Sequence, residues 1–443
     1  MLGELTAPRA GASIGAAVSR WHVRLQYAVA SGALAGVAVL CALVLSKPFF
    51  LGSDSANDYA HVWYISDQLF HHARLPLHIS MLERGDALTF PYAVVPWLVA
   101  AVPYALIGDR AVTIAMVGGF VLYGYAAVRA RPALRDARLL ALLYVNTFLI
   151  EGLVSFQLAF LYACAFFFLF VEATDRRRWP LAGGWALIAV TTHPFAAVPA
   201  IAGYALYAAV RRPRDVFPLA AALVVAALIA LPYALYIRTA PAVATTKQAD
   251  LVGTLKFMAR FRAAVVLMPF ILSGLAWAIR PAFLPAFLAL ALLFAHRIQH
   301  QQVNTFGLDR YSRPLYGEFL RSPQFDPHAT YRVLEPNDRE DGAYQLMRHH
   351  AVLAQEFFDQ SQFRRWWNTP EQYACFLGAK KIDIVLLERD YPMKFSQNES
   401  TRLQEFEQQG TARVVYRDPR GRFAAYDVRA ARRDGARMRD CGL

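Results

Sequence analysis

Apolar residues in this chain gather in blocks of about twenty rather than in alternating runs, the length that spans a bilayer as a helix. The blocks run Leu25–Ser46, Pro91–Ile107, Ala111–Val128, Leu139–Ile150, Leu153–Val171, Leu181–Thr192, Pro194–Val210, Val216–Ile237, Ala263–Ile279 and Pro281–Ala295. Two pairs meet at single polar joints, Glu151 and His193-Pro194, and predict short hairpins that barely reach the far surface. The first block is longer than the apolar core of a signal peptide and lacks a small-residue exit, so it is expected to be a retained span.

Arginines set the orientation. They cluster at Arg20 and Arg24, at Arg129, Arg131, Arg135 and Arg138, at Arg176–Arg178, at Arg211, Arg212 and Arg214, and at Arg280. Positive loops belong on the cytoplasmic side. All five clusters share that side only if Pro91–Ile107, which carries three prolines, enters the membrane without crossing it. This predicts nine spans, a cytoplasmic N-terminus, and placement in an inner or plasma membrane. The basic stretch Arg238–Arg262 then lies outside, against the charge rule.

Beyond His296 the chain turns polar. Tyr331–Leu334, Lys381–Leu387, Ala412–Arg417 and Arg422–Val428 read as strands. Asp418-Pro419-Arg420-Gly421 supplies a hairpin turn between the last two, and Gly342–Trp367 has helical spacing. The expectation is a polytopic α-helical membrane protein, residues 1–296, carrying a small C-terminal extracytoplasmic α/β domain, residues 297–443.

Composition adjusts this picture only slightly. The net charge of +13 would suggest nucleic acid in a soluble protein, but the arginines serve topology and no aromatic-interleaved basic platform appears. Nucleic acid is therefore not an expected partner. Of four cysteines, Cys41 and Cys164 fall inside apolar blocks; Cys375 and Cys441 are available for a disulfide that their spacing does not itself support.

The candidate chemistry converges on the outer surface. The first outer loop, residues 47–90, contains Asp54, Asn57, Asp58 and His61. On a helix over Ala56–His72, Asp58, His61, Val62, Ile65, Leu69 and His72 share one face, while Asp67, His71 and Arg74 share the other. A carboxylate heading an apolar stripe is costly and marks Asp58; Asp67 reads as solvated. Asn146, Glu151 and His193 sit where hairpins turn at the same surface, and helix capping explains each of them equally well alone. Lys247, Lys256, Arg260 and Arg262 suit an anionic group such as a lipid phosphate, or ordinary head groups.

Asp58-Tyr59-Ala60-His61, then Arg74-Leu75-Pro76 and Phe90-Pro91-Tyr92, resembles the first outer loop of GT-C glycosyltransferases. That superfamily includes oligosaccharyltransferases, protein O-mannosyltransferases and aminoarabinose transferases. The stretches Lys380–Leu386 and Arg413–Asp418 look like the tail domain of its bacterial members. The resemblance implies a polyprenyl-phosphate sugar as donor and transfer to an acceptor outside the membrane. It implies Asp58 as general base, and Lys247, Arg260 and Arg262 at the donor phosphate. Asp54, Asn57, His61, Glu151 and His193 are then left to position sugar or acceptor, with a divalent metal as the alternative role for His61, Glu151 and His193. The adjacent acidic pair of many members is replaced here by Asn57-Asp58, which leaves metal use open. No other cofactor is implied, and sugar and acceptor (lipid, glycan or protein) are unassigned.

Two other classes stay open. A transporter or lipid flippase would also need polar groups in a membrane cavity, although repeated halves and midplane polar residues are lacking. A non-catalytic assembly subunit of the same fold is the second.

Overall fold

The structure, a computed structural model, describes residues 10–46, 55–76, 78–81, 86–87, 94–145, 150, 152–153, 158–239, 316–334, 341–354, 367–388 and 398–436. The N-terminal part comprises α1 (Ala10–Ser46), α2 (Ser55–His72), a two-residue antiparallel pair β1 (His78–Ile79) and β2 (Asp86–Ala87), α3 (Val94–Ile107), α4 (Arg110–Ala130) and α5 (Ala137–Tyr144). It continues through α6 (Leu158–Asp175), α7 (Trp179–Thr192), α8 (Pro194–Arg211) and α9 (Val216–Thr239). The expected blocks at 263–279 and 281–295 lie outside the described residues.

Among the described residues, four helical stretches are long and apolar enough to cross a membrane: Trp21–Ser46, Arg110–Ala130, Leu158–Asp175 and Pro213–Pro232. Val94–Ile107 and Ala196–Arg211 are apolar but shorter. The aromatic-rich α6 is buried on every side and forms the middle of the bundle. By contrast α1 and α9 turn large apolar side chains outward, among them Leu25, Leu43, Val224 and Leu228. Apolar residues all round are what a bilayer solvent permits.

Ion pairs gather the arginine clusters at one end of the bundle. Arg129 at the end of α4 reaches Glu172 of α6 at 2.8 Å, and Arg176 reaches the same carboxylate at 3.2 Å. Arg212 pairs with Asp175, and Arg177 and Arg212 both approach Asp215. Asp136 caps α5, accepts two bonds from the Arg138 guanidinium and receives the Tyr27 hydroxyl of α1 at 3.2 Å. These contacts tie α1, α4, α5, α6 and α8 together at one level. The other end of α4, about 30 Å away at a rise of 1.5 Å per residue, meets the C-terminal region.

That region is a five-stranded sheet of order β4-β3-β5-β7-β6, built from β3 (Thr330–Leu334), β4 (Val352–Leu353), β5 (Ile384–Glu388), β6 (Arg413–Arg417) and β7 (Phe423–Asp427). The β4, β3 and β5 strands are parallel; β7 and β6 add antiparallel. Helices α10 (Asp341–Arg348), α11 (Pro370–Ala379), α12 (Glu399–Gln408) and α13 (Arg429–Gly435) complete it. The runs TYRVL and IVLLE are buried almost throughout, as parallel strands covered on both faces require. In the β6–β7 turn Asp418 accepts from the backbone of Arg420 and Arg422, and Gly421 takes φ +64°, which a side chain resists.

All four expected strands are present, three within one residue of their expected limits; the expected Lys381–Leu387 is shorter at its start, because Lys381 turns left-handed at φ 56° and the strand begins at Ile384. The expected helix Gly342–Trp367 is shorter: α10 stops at Arg348, His350 turns left-handed at φ 59°, and Val352–Leu353 joins the sheet. Residues 355–366 lie outside the described set. Cys375, on α11, is disulfide-bonded; Cys41 and Cys164 are free, and Cys441 lies outside the described residues. A fully buried pair, Arg332 with Glu399 at 2.6 Å, is completed by the Tyr373 hydroxyl at 2.9 Å.

One hydrophobic cluster runs from the bundle through α2 and α3 into the C-terminal sheet, linking Trp97, Val112 and Tyr59 to Tyr344, Met347 and Leu353. Both ends of α3 face this junction. Trp97, in its first turn, meets α2, while Tyr104, in its last turn, meets Tyr344 of α10.

Candidate functional site

Helix α2 carries an acidic residue, Asp58, in its first turn, where the helix dipole favours negative charge. From Asn57 to Ser66 every residue is buried. The periodicity predicted a single buried face, but α3 and α4 cover one side of α2 and α10 covers another, so its polar residues are enclosed as well. Only the last turn is open: Phe70, His71 and His72 are exposed, and Ala73 ends the helix at φ 51°. His72 therefore does not share the surroundings of Asp58 despite sharing its face.

Asp58 is 4% exposed and His61 0%. Trp97 organises both. Its indole N–H donates to Asp58 Oδ1 at 2.6 Å, and its ring stacks on the His61 imidazole with centroids 3.9 Å apart and planes 18° from parallel. His61 Nδ1 lies 2.8 Å from the Asn57 carbonyl, which can only accept, so Nδ1 carries the proton. Burial pushes the imidazole down to about 4, against the opposing pull of that carbonyl, and keeps it neutral. Asn57, 3% exposed, holds a side-chain oxygen with no hydrogen-bond partner among the described residues, and the neighbouring Tyr59 hydroxyl meets Thr113 Oγ1 of α4 at 3.1 Å. The arrangement supplies a carboxylate whose plane is fixed, a neutral imidazole and an amide oxygen within two turns of one helix.

Asp67 is not simply solvated. Its side chain is 12% exposed and accepts from His71 Nδ1 at 2.9 Å and from Gln68 at 2.9 Å, with His72 at 3.8 Å. It ties down the open end of α2, away from Trp97.

The other expected residues are distributed as follows. His193 stands between α7 and α8, at the bundle end opposite the arginines. It caps α8, Nδ1 accepting from the Ala196 N–H at 3.2 Å, and its ring sits edge-on to Phe160. The capping use foreseen for it is thus realised. Asp54, Asn146, Glu151, Lys247, Lys256, Arg260 and Arg262 lie outside the described residues. Among the described residues no group of three or more His, Cys, Asp or Glu side chains could hold a metal ion.

Trp97 was missed. Its block stands out by its hydropathy and its prolines, yet a buried indole needs an acceptor for its N–H, and the carboxylate one loop earlier is such an acceptor. The cluster at the α3–α4 corner was missed too. There Asp109 accepts from Tyr104 at 2.8 Å, from Tyr344 and from Arg348 at 3.1 Å, joining residues more than 200 positions apart.

No protein-family model matches the chain, and no curated protein sequence does. Among solved structures, the chain is similar to the apo form of ArnT from Cupriavidus metallidurans, at 16% identity over 94% of this chain and 99% of that one, with a TM-score of 0.48. It is similar also to ArnT from the same organism bound to undecaprenyl phosphate, at 14% identity over 89% and 98%, with a TM-score of 0.46.

Proposed function

We propose that this chain is a membrane glycosyltransferase of GT-C type that moves a sugar from a polyprenyl-phosphate donor to an acceptor, on the side of the membrane where its C-terminal domain stands. One observation carries the reading. The acidic motif that resembles the superfamily's first outer loop is enclosed between the bundle and the C-terminal sheet, at the end opposite the arginine belt. That sidedness is what an extracytoplasmic site needs under the positive-inside rule. The disulfide at Cys375 supports the same placement, since such bonds persist in oxidising compartments.

In this mechanism Asp58 takes the proton from the acceptor hydroxyl as its oxygen attacks the anomeric carbon. The bond from that carbon to the phosphate oxygen breaks, and polyprenyl phosphate leaves with the electron pair. A single displacement inverts the anomeric centre. Phosphate is a good leaving group, so no carboxylic acid is required to protonate it, unlike in glycoside hydrolysis. Lys247, Arg260 and Arg262 are assigned to the departing charge. Trp97 fixes the carboxylate plane, and His61, Asn57 and His193 are assigned to sugar or acceptor, together with Asp54 and Glu151. Enclosure of α2 excludes bulk water from competing as acceptor.

A second reading, a non-catalytic member of the same fold, is favoured by the burial of Asp58 and its bond to Trp97, which suit a structural carboxylate equally. Incubating purified full-length protein with polyprenyl-phosphate sugars and following release of polyprenyl phosphate separates the two. Turnover that requires Asp58 supports the transferase; no turnover with any donor supports the subunit.

A further inference from the structure

The α2 helix is held from two sides, and the side that comes from the C-terminal domain is the less expected. Tyr344 of α10 is 1% exposed although its helix belongs to the sheet region. Its hydroxyl donates to Asp109 at the α3–α4 corner and lies 2.9 Å from the Tyr104 hydroxyl of α3. Its ring packs against Tyr59 with centroids 5.7 Å apart, and Tyr59 adjoins Asp58 in the chain. Two further contacts extend the grip, one on α2 and one on the loop that follows it. His350 meets Trp63 at 5.8 Å, and the Leu353 N–H of β4 donates to the Met81 carbonyl at 2.8 Å, so the first outer loop joins the sheet edge. Burial and the Asp109 carboxylate push the Tyr344 hydroxyl up, so it remains a donor across the working range.

We propose that Tyr344 is a positioning residue, through which the C-terminal domain sets the placement of α2 and hence of the Asp58–Trp97–His61 group. The proposal rests on the transferase reading only for its kinetic consequence. The contact geometry explains why a domain remote in sequence belongs to the site. Tyr104 and Tyr344 share one carboxylate, so a shift of α10 relative to the bundle breaks bonds to α3 and the packing on α2 together. Two anchors on rigid elements restrict a site more than either alone.

Hydrogen exchange of the full chain in lipid nanodiscs tests this. Tyr344→Phe keeps the ring on Tyr59 but loses both hydroxyl contacts, and backbone exchange across residues 59–65 should rise about tenfold. Tyr373→Phe removes a buried hydroxyl from the same domain without touching α2 and should leave that segment unchanged. In an active preparation Tyr344→Phe should lower kcat about tenfold with KM for the lipid-linked donor unchanged. Tyr344→Trp, which restores a ring donor, should recover part of the loss. Unchanged exchange in Tyr344→Phe, or equal loosening by Tyr373→Phe, overturns the proposal. So does raised exchange with kcat per folded molecule unaltered. Exchange judges the grip even if wild type turns over no sugar, so the transferase reading and this one fail separately.

Discussion

Trp97 donates its indole N–H to Asp58 Oδ1 across 2.6 Å while the same ring lies flat on His61, 3.9 Å away. A single side chain from α3 thus fixes two ionisable groups of α2, Asp58 and His61. Removing the donor and removing the ring are separable experiments. Trp97→Phe retains most of the stack and loses the N–H, leaving a buried carboxylate short of one bond. The expected cost is about 1–3 kcal/mol. Denaturation of the detergent-solubilised variant should show that loss, and a stability equal to wild type would mean that the bond contributes nothing net.

His61 gives the site a pH signature. Its pKa falls from 6.5 in the unfolded chain to about 4 in the folded one. Between those values the unfolded state binds the proton and the folded state does not, so stability is full above 6.5 and is lost as pH falls toward about 4. The total is on the order of 3 kcal/mol for a fully buried imidazole. Unfolding followed from pH 7 to pH 4.5 should therefore be steeper for wild type than for His61→Gln. Parallel curves would show that His61 is not buried neutral.

Much of this architecture was legible in the chain, for identifiable reasons. Blocks such as 111–128 and 153–171 announce themselves because a bilayer demands continuous apolar surface. The Asp418–Gly421 turn is legible because local chemistry determines it. Asp58 was legible as a charge at the head of an apolar stripe. The enclosure of α2 was not, because periodicity reports one buried face and α2 is covered on two sides. Nor was the Tyr104–Asp109–Tyr344 cluster, whose members are ordinary until the fold brings them together. The end of α10 at Arg348 was lost because helical spacing runs on past the left-handed His350.

The two ends of α4 predict a topology. Arg129 joins the arginine belt and Asp109 joins the C-terminal domain, so reporters at these ends should give opposite answers. Fusions after Arg135, Arg178 and Arg214 are expected to report cytoplasm, and a fusion at the C-terminus is expected to report the outside. A cytoplasmic C-terminal domain would place Asp58 there too, since α2 and that domain share one core, and would remove lipid-linked donors of the outer leaflet from consideration.

The sharpest expectation concerns Asp58 as the base. Asp58→Asn keeps the volume and an oxygen for the Trp97 N–H, so the α2–α3 contact and the fold should persist. It cannot take a proton at working pH. A positioned base is worth about 10² to 10⁴ in rate, so transfer from a polyprenyl-phosphate sugar should fall by at least the lower figure while donor binding stays close to wild type. Asp67→Asn is the control on the same helix. It loses its contacts with His71 and His72 at the open end and should remain active. Activity retained in Asp58→Asn and lost in Asp67→Asn would invert the assignment, placing the chemistry at the exposed end of α2. Activity retained in both would move the base off this helix and make Glu151 the next residue to test. Loss of activity in Asp58→Asn together with a collapsed melting transition would point instead to a structural carboxylate, because an isosteric amide that preserves the Trp97 bond costs little unless the charge itself holds the fold.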